Sequence, residues 1–192
     1  MHKLFLALFS VLLLAGCQTA TPISPQADAS LRAAGFSSVT TTRDGFSLVA
    51  TDGAYLCPAR RCGADVVAIM GSMSLDNLSL LQNAPAGVTL ERAIRDTRIP
   101  RSGLIAAFRR GIDARASGGA AAMGRFNVSS LSMDRANAVF TVRGYFRPQS
   151  LHGRRLYGAM KIVMRGNSAR ILATASQNAG VASRYARLSW LY

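Results

Sequence analysis

The pattern that most restricts the fold lies in the last third of the chain, where β-prone stretches recur with turn residues between them. Residues 126–131, 138–146, 156–165 and 169–176 read as extended segments, divided by Asp134-Arg135-Ala136-Asn137, by a longer connection and by Gly166-Asn167-Ser168. This predicts an antiparallel meander. In the third segment Leu156, Met160, Ile162 and Met164 alternate with Tyr157, Lys161 and Arg165, which predicts one buried and one wetter face. Asn178 and Gly180 break the pattern, and residues 181–191 predict a closing helix that packs through Tyr185, Leu188 and Trp190.

Upstream the apolar period changes. From Thr89, the residues Leu90, Ala93, Ile94 and Thr97 follow i, i+3, i+4, i+7, and Glu91 with Arg95 and Arg92 with Asp96 form i, i+4 pairs on the outer side. Pro100 ends this helix. Ser102 can cap a second one with Leu104, Ile105, Phe108 and Ile112 inward and Arg109, Arg110 and Asp113 outward, before a connector at Gly118-Gly119-Ala120-Ala121-Ala122. Nearer the amino terminus, Ser24, Pro25 and Gly35 bracket a small helix over 28–34, and residues 36–42 and 46–51 form a hairpin around Arg43-Asp44-Gly45. Asp52-Gly53 reads as a further turn and 66–73 as a buried strand. The elements predict an α+β fold: a mostly antiparallel sheet ending in the meander, amphipathic helices packed on one side, and a C-terminal helix.

The chain opens with Met1, His2 and Lys3, then an apolar run over 4–14 of the length a secretory signal needs, then Ala15, Gly16 and Cys17. Leu14-Ala15-Gly16-Cys17 resembles the lipobox of bacterial lipoproteins, a likeness confined to residues 1 to about 20. The resemblance implies that the Cys17 sulfur receives a diacylglyceryl group and that Cys17 becomes the first residue, palmitate-type chains making the membrane attachment durable. Gln18, in place of the aspartate that often marks inner-membrane retention, implies the outer membrane with the domain facing the periplasm. The expected organisation is a signal peptide over 1–16, a lipidated tether over 17–27 and one periplasmic domain over 28–192.

With Cys17 consumed by lipid, Cys57 and Cys62 remain, and in an oxidising periplasm thiols this close are expected to pair. Their spacing is not Cys-x-x-Cys, so a structural bridge is favoured over a redox pair. Only His152 is left once His2 is removed, and there is no second cysteine pair for a zinc site. No metal or cofactor is expected.

Removing Lys3 from the 23 basic residues leaves 22 against 9 acidic ones, and Lys161 is the only remaining lysine. Arginine suits phosphate and carboxylate through its planar fork. The sequence lacks the Gly-x-Ser-x-Gly, Ser-x-x-Lys and His-Glu-x-x-His motifs, phosphate-binding glycine loops and calcium-loop aspartates. A catalytic cleft would have to assemble from distant groups such as Asp65, Asp113 and His152, so no catalytic residue is assigned. The strongest constellation is Arg143, Tyr145, Arg147, His152, Arg154, Arg155 and Tyr157, two strand ends and their connection, where arginines grip anions and tyrosines cover adjacent surface. The expected function is noncatalytic: binding of an envelope protein complex, or of anionic lipid, lipopolysaccharide or peptidoglycan, through this basic surface. Nucleic acid ranks low. The alternatives are a tethered hydrolase or enzyme inhibitor and a structural subunit of an envelope assembly.

Overall fold

A computed structural model describes residues 25–39, 51–74, 88–117, 126–148 and 151–187. Cys17, the signal and most of the tether lie outside these residues, as do the Arg43-Asp44-Gly45 turn, the 118–122 connector, and Leu188 and Trp190. The elements run α1 (Pro25–Ala33), β1 (Ser37–Ser38), β2 (Thr51–Cys57), α2 (Ala59–Cys62), β3 (Val66–Ser74), α3 (Leu90–Arg95), α4 (Arg101–Ser117), β4 (Asn127–Asp134), β5 (Val139–Phe146), β6 (Leu156–Arg165), β7 (Ser168–Ser176) and α5 (Ala179–Tyr185). The seven strands form one antiparallel sheet in the order β1-β2-β3-β7-β6-β5-β4. The α+β class and the C-terminal meander are as the sequence predicts. β7 joins the meander to a smaller one, pairing Val66 with Ser176 and Ser74 with Ser168 at the two ends of β3.

The helices divide between the two faces of the sheet. Val67, Ile69, Ile171, Ala173, Ile162, Met164, Phe140 and Val142 pack with Leu90 and Ile94 of α3 and Leu104 of α4, and Phe108 stacks on Phe140 with ring centroids 4.1 Å apart. The intervening residues, including Val66, Ala68, Met70, Leu172 and Val163, pack with Ala27 and Leu31 of α1, Cys62 of α2 and Val181 of α5. This corrects the expectation that helices cover one side only. Val66 to Met70 is apolar at every position, so both faces of β3 need cover. The expected wetter face of β6 is likewise dry at its centre, where Ala159, Lys161 and Val163 are all buried.

Local differences have local causes. Asp52-Gly53 is a register irregularity inside β2, between Thr51 and Gly53, where the sequence predicts a turn. α1 begins at Pro25, inside the span expected to be tether, and Ala27 is already core. Thr89 caps α3, its hydroxyl accepting from Arg92 N at 3.2 Å, but that helix ends at Arg95. α4 starts at Arg101, so Ser102 lies within it. Asn178 caps α5 by accepting from Gly180 N and Val181 N, which places Gly180 inside the helix. The disulfide joins Cys57 and Cys62 across a Cα separation of 6.0 Å; both residues are buried in the layer with α1, so the bridge is part of the core as well as a loop staple.

α3 is fastened to the β6–β7 turn. Arg165 and Ser168 are partners, leaving Gly166-Asn167 as a two-residue loop with Gly166 at φ 58, a left-handed value natural to glycine. Glu91 N donates to Gly166 O at 3.1 Å, Gly166 N donates to Glu91 Oε2 at 2.8 Å, and Leu90 N donates to Asn167 Oδ1 at 2.9 Å. The helix's first amide groups and the turn thereby satisfy one another.

Candidate functional site: a basic and aromatic strand end

The end of β5 and the start of β6 are fixed from the α3 and α4 side. Phe146 and Leu156 are cross-strand partners and both are buried, with Phe146 4.6 Å from the Phe126 ring. Strand alternation then puts Tyr145 and Tyr157, also partners, on the opposite face, where both are half-buried. Two residues toward the loop from each tyrosine, just past the strand ends, stand Arg147 and Arg155. The Arg155 guanidinium carbon lies 4.6 Å from the Tyr145 ring centroid and that of Arg147 lies 5.7 Å away. One ring thus holds two cations.

The connecting loop folds back by hydrogen bonds from Leu151 N to Pro148 O at 3.1 Å and from Arg154 N to Leu151 O at 3.0 Å. His152 at φ 49 and Gly153 at φ 80 turn it, and His152, Gly153, Arg154 and Arg155 are all exposed. Of the seven residues singled out in the sequence, Tyr145, Arg147, Arg155 and Tyr157 come together on one face. Arg143 follows on the same side of β5 and is half-buried, while Arg154 and His152 occupy the loop. Among the described residues, no ion pair links any of these arginines to a carboxylate.

The acidic groups among the described residues are engaged elsewhere. Asp96 accepts from the Arg98 side chain, which with the Arg98 backbone amide brings its pKa down to about 2. The Glu91 carboxyl is lowered first by the Gly166 amide and then by Arg95. Asp134 is lowered by the side chain and amide of Asn137 in the β4–β5 turn. Asp28 bonds Arg32 at 2.7 Å and the Tyr55 hydroxyl at 2.9 Å, tying α1 to β2; burial and that bond push the Tyr55 phenol up to about 12. These groups do structural work.

The alternative cleft is not seen to assemble. Asp65 Oδ1 accepts from Ala59 N at 2.8 Å, capping the disulfide loop; His152 is exposed on the β5–β6 loop, and the Asp113 side chain lies outside the described residues. Among the described residues no three His, Cys, Asp or Glu side chains cluster as metal ligands do. No described helix is long and apolar enough to cross a membrane.

Sequence reasoning missed Arg60 and Arg61. Both are exposed on α2, inside the disulfide ring, immediately before β3. Val66 at the start of β3 pairs with Ser176, and Ser176 pairs with Tyr157 at the start of β6, so the disulfide loop and the β5–β6 loop occupy one end of the sheet. The signal for that juxtaposition is strand pairing, which a linear reading of two distant arginine pairs does not contain. Compared with known proteins, the chain matches no family model and no curated protein.

Proposed function

We propose that the protein is a lipid-anchored lipoprotein of the bacterial envelope that binds an anionic envelope component or partner through the β5–β6 strand end. The observation that carries the binding role is that the Arg147 and Arg155 guanidinium carbons lie 5.7 and 4.6 Å from the Tyr145 ring centroid with no carboxylate among the described residues paired to either. A guanidinium drawn to a ring by cation–π attraction, and not tied to a carboxylate, keeps N–H donors for an external anion. The anchor rests on the likeness of Leu14-Ala15-Gly16-Cys17 to a lipobox, and it places the domain in the periplasm, at the outer membrane. Binding, not turnover, is the role this surface supports.

Two measurements test the reading. Mass spectrometry of the protein recovered from membranes should find the mature chain starting at an acylated Cys17; an unmodified thiol there, or a different first residue, removes the anchor. A photo-crosslinking amino acid in place of His152 should capture an envelope component in cells, and the same group in place of Ser132 on β4 should not. Capture at neither position, or equally at both, would overturn the assignment of the site.

A further inference from the structure

Five exposed arginines share one end of the sheet: Arg60 and Arg61 on the disulfide loop, and Arg147, Arg154 and Arg155 around the β5–β6 loop. The described carboxylate at this end, Asp65, is bonded to Ala59 N and is not ion-paired with any of them. Toward the opposite end the acids are engaged in ion pairs, Glu91 between Arg95 and Arg165 and Asp96 against Arg98.

We infer that the arginine end of the sheet is a membrane-facing surface that takes the phosphate groups of an anionic phospholipid bilayer. The inference rests on the lipid-anchored reading above and names the ligand of its binding site. Three features favour a bilayer over a glycan or a single phosphate. The Tyr145 ring, one of the two aromatic rings on this face, already carries Arg147 and Arg155. The two loops are separated across β3, β7 and β6, two strand spacings or about 10 Å, which one phosphate cannot bridge but neighbouring headgroups can. The anchor also holds the surface within reach. From Cys17 to Pro25 is eight residues, at most about 27 Å when extended, and α1 then runs only about 13 Å before Phe36 leads into β1, where Ser37 pairs with Leu56 beside Cys57 at the basic end. Tethering at that distance turns modest headgroup contacts into stable docking.

The disulfide loop acquires a role in this arrangement. Cys57 and Cys62 are buried while Arg60 and Arg61 between them are exposed, so the bridge presents two cations from a backbone that is closed at both ends.

The test uses the mature chain with Cys17→Ser, which has no acyl chain and retains every described residue. Co-sedimentation is measured with vesicles of phosphatidylcholine alone, with vesicles in which about one-third of the lipid is anionic phosphatidylglycerol, and with isolated peptidoglycan. We expect retention on the phosphatidylglycerol vesicles only, falling with salt, and about fivefold weaker for each arginine removed. Arg60→Gln/Arg61→Gln should thus lose about 25-fold, and Arg147→Gln/Arg154→Gln/Arg155→Gln about 100-fold. The control Arg92→Gln/Arg109→Gln/Arg110→Gln removes the same charge from exposed helix positions and should lose less than about twofold. Equal losses in the two triple variants would reduce the effect to net charge and overturn the inference. Retention on peptidoglycan without retention on vesicles would transfer the site to the cell wall, and full competition by millimolar inorganic phosphate would identify a free-phosphate site instead. Each outcome is independent of whether mass spectrometry finds Cys17 acylated, so failure of the anchor and failure of the surface are read separately.

Discussion

Gly144 and Gly158 are cross-strand partners lying under the Phe126 ring, and they are not equivalent. A methyl group at Gly144 would stand 2.4 Å from the Asn127 carbonyl oxygen and 2.6 Å from Phe126 Cζ; at Gly158 the nearest atom is Phe126 Cε2 at 3.1 Å. The first obstruction is backbone, and it belongs to the residue that pairs with Tyr145, so relief requires moving β4 against β5. The second is the edge of a ring that can shift by a few tenths of an ångström. Forcing a methylene into a filled core costs about 1–3 kcal/mol, and replacing glycine by alanine in a strand returns about 0.5–1 kcal/mol. Gly144→Ala should therefore destabilise by about 2 kcal/mol and Gly158→Ala by close to zero. For a domain of this size those values correspond to a melting temperature lowered by about 4–8 °C and by less than about 2 °C. Calorimetry and urea unfolding with an unchanged m-value would measure both. Phe126→Ala separates the causes: in that background Gly158→Ala should become stabilising, whereas Gly144→Ala should still destabilise because Asn127 O remains. Equal melting temperatures for the two single variants, or complete rescue of Gly144→Ala by Phe126→Ala, would refute the reasoning.

Other consequences follow from the same contacts. Asn167→Ala removes the acceptor for Leu90 N and should cost about 1–2 kcal/mol in urea unfolding, with faster hydrogen exchange confined to the start of α3; uniform exchange across the chain would contradict a local clamp. Asp28, Glu91, Asp96 and Asp134 all have carboxyls held below their ordinary values, so each contributes stability above the unfolded pKa near 4 that is lost as pH falls through the folded one. The melting temperature should hold down to about pH 5 and fall between about pH 4 and 2, the fall being smaller in Asp96→Asn; a flat acid limb would contradict it. Cys57→Ala/Cys62→Ala opens a six-residue ring and should lose about 2 kcal/mol, and a melting temperature unchanged under reduction would show that the bridge holds nothing.

Much of the fold is legible in the chain because alternation and turn residues are local signals. The β4 to β7 meander, the start of α3 after Thr89 and the bridging of Cys57 and Cys62 all follow from residues within a few positions of one another. What escapes is non-local. The apolar run from Val66 to Met70 states that β3 is covered on both faces, but not by which helices, and Lys161 looks like a surface residue until Thr141 and Leu172 are known to flank it. Asp52-Gly53 carries turn chemistry that β3 overrides by pairing across it. In the candidate site, the Tyr145 and Tyr157 pair follows from hairpin register, whereas the contribution of Arg60 and Arg61 depends on β7 entering between β3 and β6.

That insertion sets the order in which the molecule can be completed. Ser74 and Ser168 are partners although 94 positions separate them in the chain (168 minus 74), and β7 is the last of the described strands in chain order. Without β7 the inner edges of β3 and β6 both lack their partner strand, and closing that gap is a pairing of high contact order. Truncation before residue 168 would take out the middle of the sheet, leaving two three-stranded halves joined through the α3 and α4 core layer and no longer by strand pairing.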